Sequence, residues 1–325
     1  MKTIKVGGIL EATQIAYGCM EIGGDWTSAP LTDTTKTKAV ATIRAVLDAG
    51  INFFDHADIY GRGKSEEAFS AVWGERPGLR AQIVLQSKCG IRVRGAPHEN
   101  DPTRYDFSYQ YILDSVNGSL RRLKTDYLDI LLLHRPDALV EPEEVARAFD
   151  DLERSGKVRH FGVSNHNAAQ IRLLRKFVRQ PIVANQVQLN VLHSQLIDEG
   201  VAFNQDKPLR ALRGEGTLEY CREHDITLQA WSPLARGAIT GKPLNSDDPK
   251  ITKTAEAVAA LAQEKGVSRE AILIAWLLRH PAHIQPVIGT TNVERIEACC
   301  QADGVVLTRE EWYQLFAAGR GAPVP

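Results

Sequence analysis

Eight strand-like segments, each followed by a helix-like one, predict an α/β fold of the (β/α)8 TIM-barrel type for this 325-residue chain. The strand-like segments are apolar enough to be buried on both faces, as parallel strands covered by helices are. No GxGxxG follows the first strand, so the competing open, doubly wound sheet lacks its dinucleotide fingerprint.

The first dozen residues, with Gly7-Gly8 between short apolar stretches, read as a β-hairpin plugging the barrel floor. Residues 14–18 form the first barrel strand. A helix follows over 35–49, with Val40, Ile43 and Leu47 on one face and Gly50 as its stop. Strand 51–54 leads to a helix over 65–73, and strand 82–87 to a helix over 108–123 striped by Ile112, Val116, Leu120 and Leu123. After strand 128–133 a helix opens at Pro142, whose fixed φ suits a first turn. Strand 158–163 precedes helix 167–178, and strand 182–187 precedes a helix over 217–224. Strand 226–230 is followed by helices 254–265 and 268–280, and strand 284–288 by helix 292–301. A helix is appended at the C-terminus. Thr308 and Glu311 form its capping box, with Leu307 and Trp312 at the staple positions. No linker or low-complexity tract interrupts the pattern, so residues 1–325 are expected to form one domain.

The charge balance, Lys+Arg 39 against Asp+Glu 40, gives no reason to expect nucleic acid or an anionic membrane as partner. No apolar run is long enough to span a bilayer, and the first ten residues lack a signal-peptide core and cleavage site. Cys19, Cys89, Cys221, Cys299 and Cys300 include no CxxC, which argues against a disulfide framework and a zinc site. A cytoplasmic location with no metal is expected.

Four side chains stand just beyond strand-like runs. Asp55 and Tyr60 follow 51–54, Lys88 closes 83–87, and His134 closes 128–133. Parallel strands would bring them out at one edge of the sheet, the C-terminal edge where barrels of this type carry their sites. A carboxylate, a phenol, an ammonium and an imidazole converging there make a proton-transfer site. Any one of them alone reads as an ordinary loop residue; their shared placement carries the argument. Gly61-Arg62-Gly63-Lys64-Ser65 imitates part of a phosphate loop, but Asp58 stands where the pattern requires glycine. It reads instead as a mobile turn into a helix capped by Ser65.

With these residues in view, the chain resembles the aldo-keto reductases. The resemblance runs from about residue 10 to the end. Its motifs are Phe54-Asp55-His56-Ala57-Asp58-Ile59-Tyr60-Gly61, Ser87-Lys88, the run from Asp126 to Pro136, Gly162-Val163-Ser164-Asn165, Asn185-Gln186-Val187-Gln188, Trp231-Ser232-Pro233-Leu234 and Ile288-Gly289-Thr290-Thr291. The phrase with His56 and Asp58, together with the tail 308–325, is similar to a bacterial branch of broad-specificity, NADPH-dependent reductases.

The resemblance implies reduction of an aldehyde or ketone by hydride transfer from NADPH. Tyr60 is the implied general acid, Lys88 and Asp55 its tuners, and His134 the residue that orients the carbonyl and shares in proton delivery. An unperturbed phenol, with pKa of about 10, is a weak acid near neutrality, so a cation close to Tyr60 is expected to lower its pKa. By the same resemblance Ser164, Asn165 and Gln186 hold the nicotinamide carboxamide, although Ser164-Asn165 alone reads as a helix N-cap. Trp231 shields one nicotinamide face. Ser232, Leu234, Arg236 and Gly237 cover the pyrophosphate, and Gly289, Thr290, Thr291 and Arg295 open the last barrel helix toward phosphate. Many members carry a lysine at the Gly289 position and an asparagine or glutamine at Cys299. The missing lysine weakens the adenosine 2′-phosphate site, but Arg295 remains, which favours NADPH over NADH.

Residues 199–216, charged and carrying Gly200, Pro208, Gly214 and Gly216, lengthen the connection after the sixth strand. They read either as a lid over the cofactor or as a surface excursion. Trp26 is a candidate wall of the substrate pocket. Two other functions compete: a cofactor-binding regulatory or sensor barrel with slow turnover, and a Schiff-base lyase using Lys88. An acid beside that lysine keeps it charged, which counts against the lyase. A small carbonyl compound is the expected partner, and a monomer the expected state.

Overall fold

The turn at Gly7-Gly8 joins two antiparallel strands, β1 (Thr3–Val6) and β2 (Leu10–Thr13). Gly7 has φ +59, and a Cβ there would lie 2.5 Å from the Cβ of Val183, so glycine alone lets the hairpin press this closely on the barrel. Its backbone N–H donates to Thr227 Oγ1 at 2.9 Å. Val6 and Ala12 are buried against Phe53, Val84, Ile130 and Val183, so the hairpin closes the floor as expected.

The computed structural model describes residues 1–202, 215–240 and 248–325. After the hairpin come β3 (Ala16–Gly18), α1 (Asp33–Asp48), β4 (Phe53–Asp55), α2 (Lys64–Phe69) and β5 (Val84–Cys89). A small hairpin, β6 (Ile91–Arg92) and β7 (Arg104–Tyr105), precedes α3 (Tyr109–Leu123), β8 (Leu128–Leu133), α4 (Pro142–Arg154), β9 (Val158–Ser164) and α5 (Ala168–Arg175). Next are β10 (Ile182–Gln188), α6 (Gln195–Ala202), α7 (Thr217–Glu223) and β11 (Thr227–Trp231). The chain ends with α8 (Pro249–Lys265), α9 (Arg269–Leu278), β12 (Gln285–Ile288), α10 (Val293–Cys300) and α11 (Arg309–Arg320). Strands β3, β4, β5, β8, β9, β10, β11 and β12 are parallel neighbours in that order, and β12 closes on β3. This is the expected (β/α)8 barrel.

Alternation along the strands sorts side chains into two cores. One face packs on the helices, as Phe54, Leu85, Leu131, Leu133 and Ile288 do. The other fills the barrel, with Phe53, Val84, Ile130, Leu132 and Val287 just above the hairpin. Across the barrel interior runs a layer of amides that sequence reasoning did not foresee. Gln86 Nε2 donates to Gln229 Oε1 at 2.9 Å, Gln229 Nε2 to Gln285 Oε1 at 2.9 Å, and Gln285 Nε2 to the Thr13 carbonyl at 2.8 Å. Gln186 Nε2 also reaches Gln229 Oε1, at 3.2 Å. Gly162 is required in β9, because a Cβ there would lie 2.6 Å from Leu132 Cδ2 and 2.7 Å from the Ala184 carbonyl.

Several boundaries differ from expectation. The helix expected over 65–73 is α2, flanked by 3-10 turns at Tyr60–Gly63 and Ser70–Gly74. Ser65 does not cap it: Gly63, at φ 90, precedes the first turn, and buried Ser65 donates its hydroxyl to the Met20 carbonyl at 3.0 Å. Gly61 and Gly63 are themselves buried in that turn. The helix expected from 254 begins at Pro249, since the Asp248 side chain accepts from the Lys250 N–H. Helix α6 and the β6–β7 hairpin were not expected. The capping box of α11 forms as predicted, with Leu307 and Trp312 both buried. Of the segment 199–216, residues 203–214 lie outside the described residues; 199–202 complete α6. Among the described residues no helix is long and apolar enough to cross a membrane.

Candidate active site

The inner-face periodicity that places Phe53 low in the barrel places Asp55 two residues higher, at the mouth. The same step carries β5 from Val84 through Gln86 to Lys88, and β8 from Ile130 through Leu132 to His134. Backbone pairing extends past β4, with His56 N–H on the Gln86 carbonyl (2.8 Å) and Asp58 N–H on the Lys88 carbonyl (3.0 Å). The turn that follows has Gly61, Arg62 and Gly63 at φ 55, 59 and 90, and this reversal returns Tyr60 over the barrel mouth.

Lys88 uses all three ammonium N–H groups. It donates to Asp55 Oδ2 at 2.8 Å, to the His56 carbonyl at 2.9 Å and to Tyr60 Oη at 3.0 Å. The other carboxylate oxygen of Asp55 accepts from Gln86 Nε2 at 2.6 Å, which ties the pair to the amide layer. Burial weakens the ammonium, but the Asp55 carboxylate and Tyr60 outweigh it and hold Lys88 above the usual lysine range. An amine kept protonated is a poor Schiff-base nucleophile.

The expected lowering of the Tyr60 pKa is not found. Burial pushes the phenol up and outweighs the pull of Lys88, so the net direction is upward. Tyr60 therefore keeps its proton at rest, with Lys88 satisfying one lone pair of its oxygen. The Tyr60 and His134 rings meet edge to face, centroids 6.0 Å apart. Burial, Lys88 and Arg135 hold the His134 imidazole far below its usual range, so it is neutral. Trp26, exposed in the loop after β3, lies edge-on to Tyr60 at 6.4 Å, and its carbonyl accepts from Arg62 Nε at 3.0 Å.

On the opposite wall, at the ends of β9, β10 and β11, the polar groups form a chain. Trp231 Nε1 donates to Asn165 Oδ1 at 3.1 Å, and Asn165 Nδ2 donates to Ser164 Oγ at 2.8 Å and to the His134 carbonyl at 3.3 Å. Ser164 Oγ in turn donates to the Gln186 carbonyl at 2.8 Å. Ser164-Asn165 is not the helix cap; Asn167, with Gln170, forms the capping box of α5. Past Trp231, Ser232, Ala235, Arg236 and Gly237 have φ of 53, 48, 56 and 81, with Leu234 between them. The N–H groups of Ala235 and Gly237 donate to the Ser232 and Leu234 carbonyls at 3.0 and 2.9 Å, so this stretch is a tight, internally bonded turn at the end of β11.

Thr290 and Thr291 precede α10 rather than opening it, because Asn292 is its cap. Arg295 stands in the first turn, exposed, and among the described residues its guanidinium makes no ion pair or hydrogen bond. Gly289 is exposed between β12 and Thr290. Cys299 is fully buried, so that position faces the core and offers nothing to a ligand. The aromatic ring of Trp231, the amide of Asn165, the turn at 232–237 and the exposed guanidinium of Arg295 are side-chain and backbone types that suit a dinucleotide.

A family model described as the aldo/keto reductase family matches residues 14–319. The chain belongs to the aldo/keto reductase family. It is 35% identical to the uncharacterized oxidoreductase YcsN of Bacillus subtilis and 35% identical to a 6-dehydroglucose reductase of Agrobacterium fabrum, each match covering 100% of both chains. Among solved structures it is similar to a glycerol dehydrogenase from Gluconobacter oxydans (27% identity, TM-score 0.80, covering 99% of this chain and 97% of that one). It is also similar to an aldo/keto reductase from Klebsiella pneumoniae in complex with NADP and acetate (26%, TM-score 0.74, 100% and 96%). The chain is thus an oxidoreductase.

Behind the site this aldo/keto reductase carries a second buried polar group that sequence reasoning missed. Glu66 accepts from Ser87 Oγ at 2.7 Å and from Arg122 Nε at 2.8 Å, while Oδ1 of neighbouring Asp58 is buried with no partner among the described residues. Burial, reinforced by the Glu66 charge and opposed by Arg122, pushes the Asp58 carboxyl up to about 7. The folded state therefore keeps a proton that the unfolded chain sheds near pH 4. This contribution is intact below about 4 and is lost as pH rises through about 7. Asp58→Asn, a permanently neutral replacement, is expected to melt several degrees above the native protein at pH 8, the gap closing toward pH 4. Scanning calorimetry across that range checks it; a gap independent of pH would be incompatible with this account.

Proposed function

We propose that this protein is an NADPH-dependent carbonyl reductase that converts an aldehyde or ketone to an alcohol, with Tyr60 as general acid. The observation that carries the reading is the Lys88 ammonium, whose three donors are shared among Asp55, the His56 carbonyl and the Tyr60 hydroxyl at the barrel mouth. When bound, the reduced nicotinamide supplies the hydride.

Tyr60 supplies the proton. Its raised pKa keeps it protonated at rest, and transfer becomes favourable only as negative charge gathers on the substrate oxygen. Lys88 then stabilises the phenolate left behind at 3.0 Å, and Asp55 and Gln86 hold Lys88 in place. Neutral His134 orients the carbonyl by a hydrogen bond without competing as a charged acid. Asn165, Ser164, Gln186 and Trp231 position the nicotinamide, and the loop begun by Ser232, Leu234, Arg236 and Gly237 covers the pyrophosphate. Gly289, Thr290 and Thr291 border the adenosine end, where Arg295 favours the 2′-phosphate and hence NADPH over NADH. The NADP complex of the Klebsiella relative supports that choice. Five free cysteines support a reducing, cytoplasmic setting, and we take the working enzyme to be a monomer.

Titration of tryptophan fluorescence separately with NADPH and NADH tests the cofactor assignment. Saturable quenching through Trp231, markedly tighter for NADPH, is the expected result. Tighter binding of NADH would overturn the Arg295 assignment, and silence with both cofactors, confirmed by calorimetry, would overturn the reductase reading.

A further inference from the structure

Among the described residues, the charges beside Lys88 and His134 do not balance. Lys88 is neutralised by Asp55 at 2.8 Å, and His134 is held neutral by burial and its cationic neighbours. The residue after His134 is Arg135, half-buried, with its guanidinium carbon 5.8 Å from the centroid of the Trp231 ring. Among the described residues Arg135 makes no ion pair and no side-chain hydrogen bond. Asp137, the nearest acid along the chain, spends its two oxygens on the backbone N–H groups of Phe107 and Leu139 at 3.0 and 2.9 Å.

Trp231 is linked through Asn165 to the His134 carbonyl, so Arg135 belongs to the same wall as the groups beside the reacting carbonyl. One positive charge is left over there, on a side chain whose planar fork matches a carboxylate. A half-buried guanidinium with unused donors favours a ligand that supplies the missing anion. Among the described residues on the opposite wall, Trp26 and Tyr60 are uncharged, and Asp25 beside Trp26 is already paired with Lys64 at 2.6 Å.

We infer that the preferred carbonyl substrates of this enzyme carry a carboxylate, and that Arg135 binds it. The inference rests on the reductase reading and deepens it by naming a substrate class, the oxo acids. Arg135 acts on specificity; it donates no proton and touches no reacting atom.

The test compares kcat/KM, with NADPH, for ω-oxo carboxylates of two to six carbons and for their methyl esters. The native protein, Arg135→Gln and Arg135→Lys are measured alongside one another. For at least one chain length the acid is expected to be favoured by ~10-fold or more, mainly through KM, as for a hydrogen-bonded charge pair. Arg135→Gln should bring the acid-to-ester ratio close to one, and Arg135→Lys should restore part of it. Equal values for every acid–ester pair in the native protein, or a preference that survives Arg135→Gln, would overturn the inference. The cofactor's own phosphates are the other source of an anion. A weakened NADPH affinity in Arg135→Gln with an unchanged acid-to-ester ratio would assign the guanidinium to them and likewise overturn it. If neither acids nor esters are reduced, it is the reductase reading that fails. Calorimetric titration of the NADPH-saturated protein with the corresponding ω-hydroxy acids and esters then decides the anion site by itself. Tighter binding of the acid, lost in Arg135→Gln, sustains it, and equal binding overturns it.

Discussion

Tyr60→Phe is expected to lower kcat by at least ~10²-fold while leaving NADPH affinity unchanged, the loss that follows removal of a general acid. The substitution is nearly pure in its chemistry. The phenyl ring keeps its edge-to-face contacts with Trp26 and His134, so the walls of the site stay in place. What disappears is the proton donor and one of the three acceptors around the Lys88 ammonium. Single-turnover kinetics with saturating cofactor, read beside the fluorescence titration, separate a lost chemical step from a lost complex. Turnover close to native would hand proton delivery to His134 and end the assignment of Tyr60.

Lys88→Met should be the more damaging change, because it harms both activity and stability. Removing the ammonium leaves the Asp55 carboxylate buried against Gln86 without its counter-charge, and breaking one side of a buried pair costs about 3–5 kcal/mol. Adding Asp55→Asn removes the stranded charge. The double variant is therefore expected to recover much of the stability yet remain inactive, since no cation is left to stabilise the Tyr60 phenolate. Urea unfolding and kcat, measured for both singles and the double, check this. A double variant no more stable than Lys88→Met alone would mean that packing, rather than charge, dominates the loss.

The barrel was legible because its signal is redundant. Strand β8 coincides with the expected 128–133, and α1 departs by two residues at its start because the Thr32 hydroxyl caps the Thr35 N–H. The convergence of Asp55, Tyr60, Lys88 and His134 was legible for a related reason: each follows a strand, and parallel strands share an edge. What escaped notice depends on tertiary context. The Tyr60 pKa is set by burial, which spacing does not reveal. Ser65 looks like a cap, but Gly23 and the loop after β3 pack against it and claim it for the interior. The small helix α6 has only eight residues, with Gly200 inside it, too short for an apolar stripe to be read. The amide layer did leave a mark. Gln86, Gln186, Gln229 and Gln285 are glutamines in four buried barrel strands, and buried amides in a barrel require partners.

That layer also has a direction. Both of its ends are pure acceptors, the Asp55 carboxylate at one and the Thr13 carbonyl at the other. Gln86 turns its amide nitrogen toward Asp55 and Gln229 alike, and from there each glutamine must present its oxygen backward and its nitrogen forward. No member can flip alone without setting oxygen against oxygen, so the chain has one permitted polarity. Because amides do not titrate, that polarity is the same at every pH. The negative charge that anchors Lys88 thus rests on a scaffold whose sense is fixed once, when the barrel closes, and is not reset by the proton traffic above it.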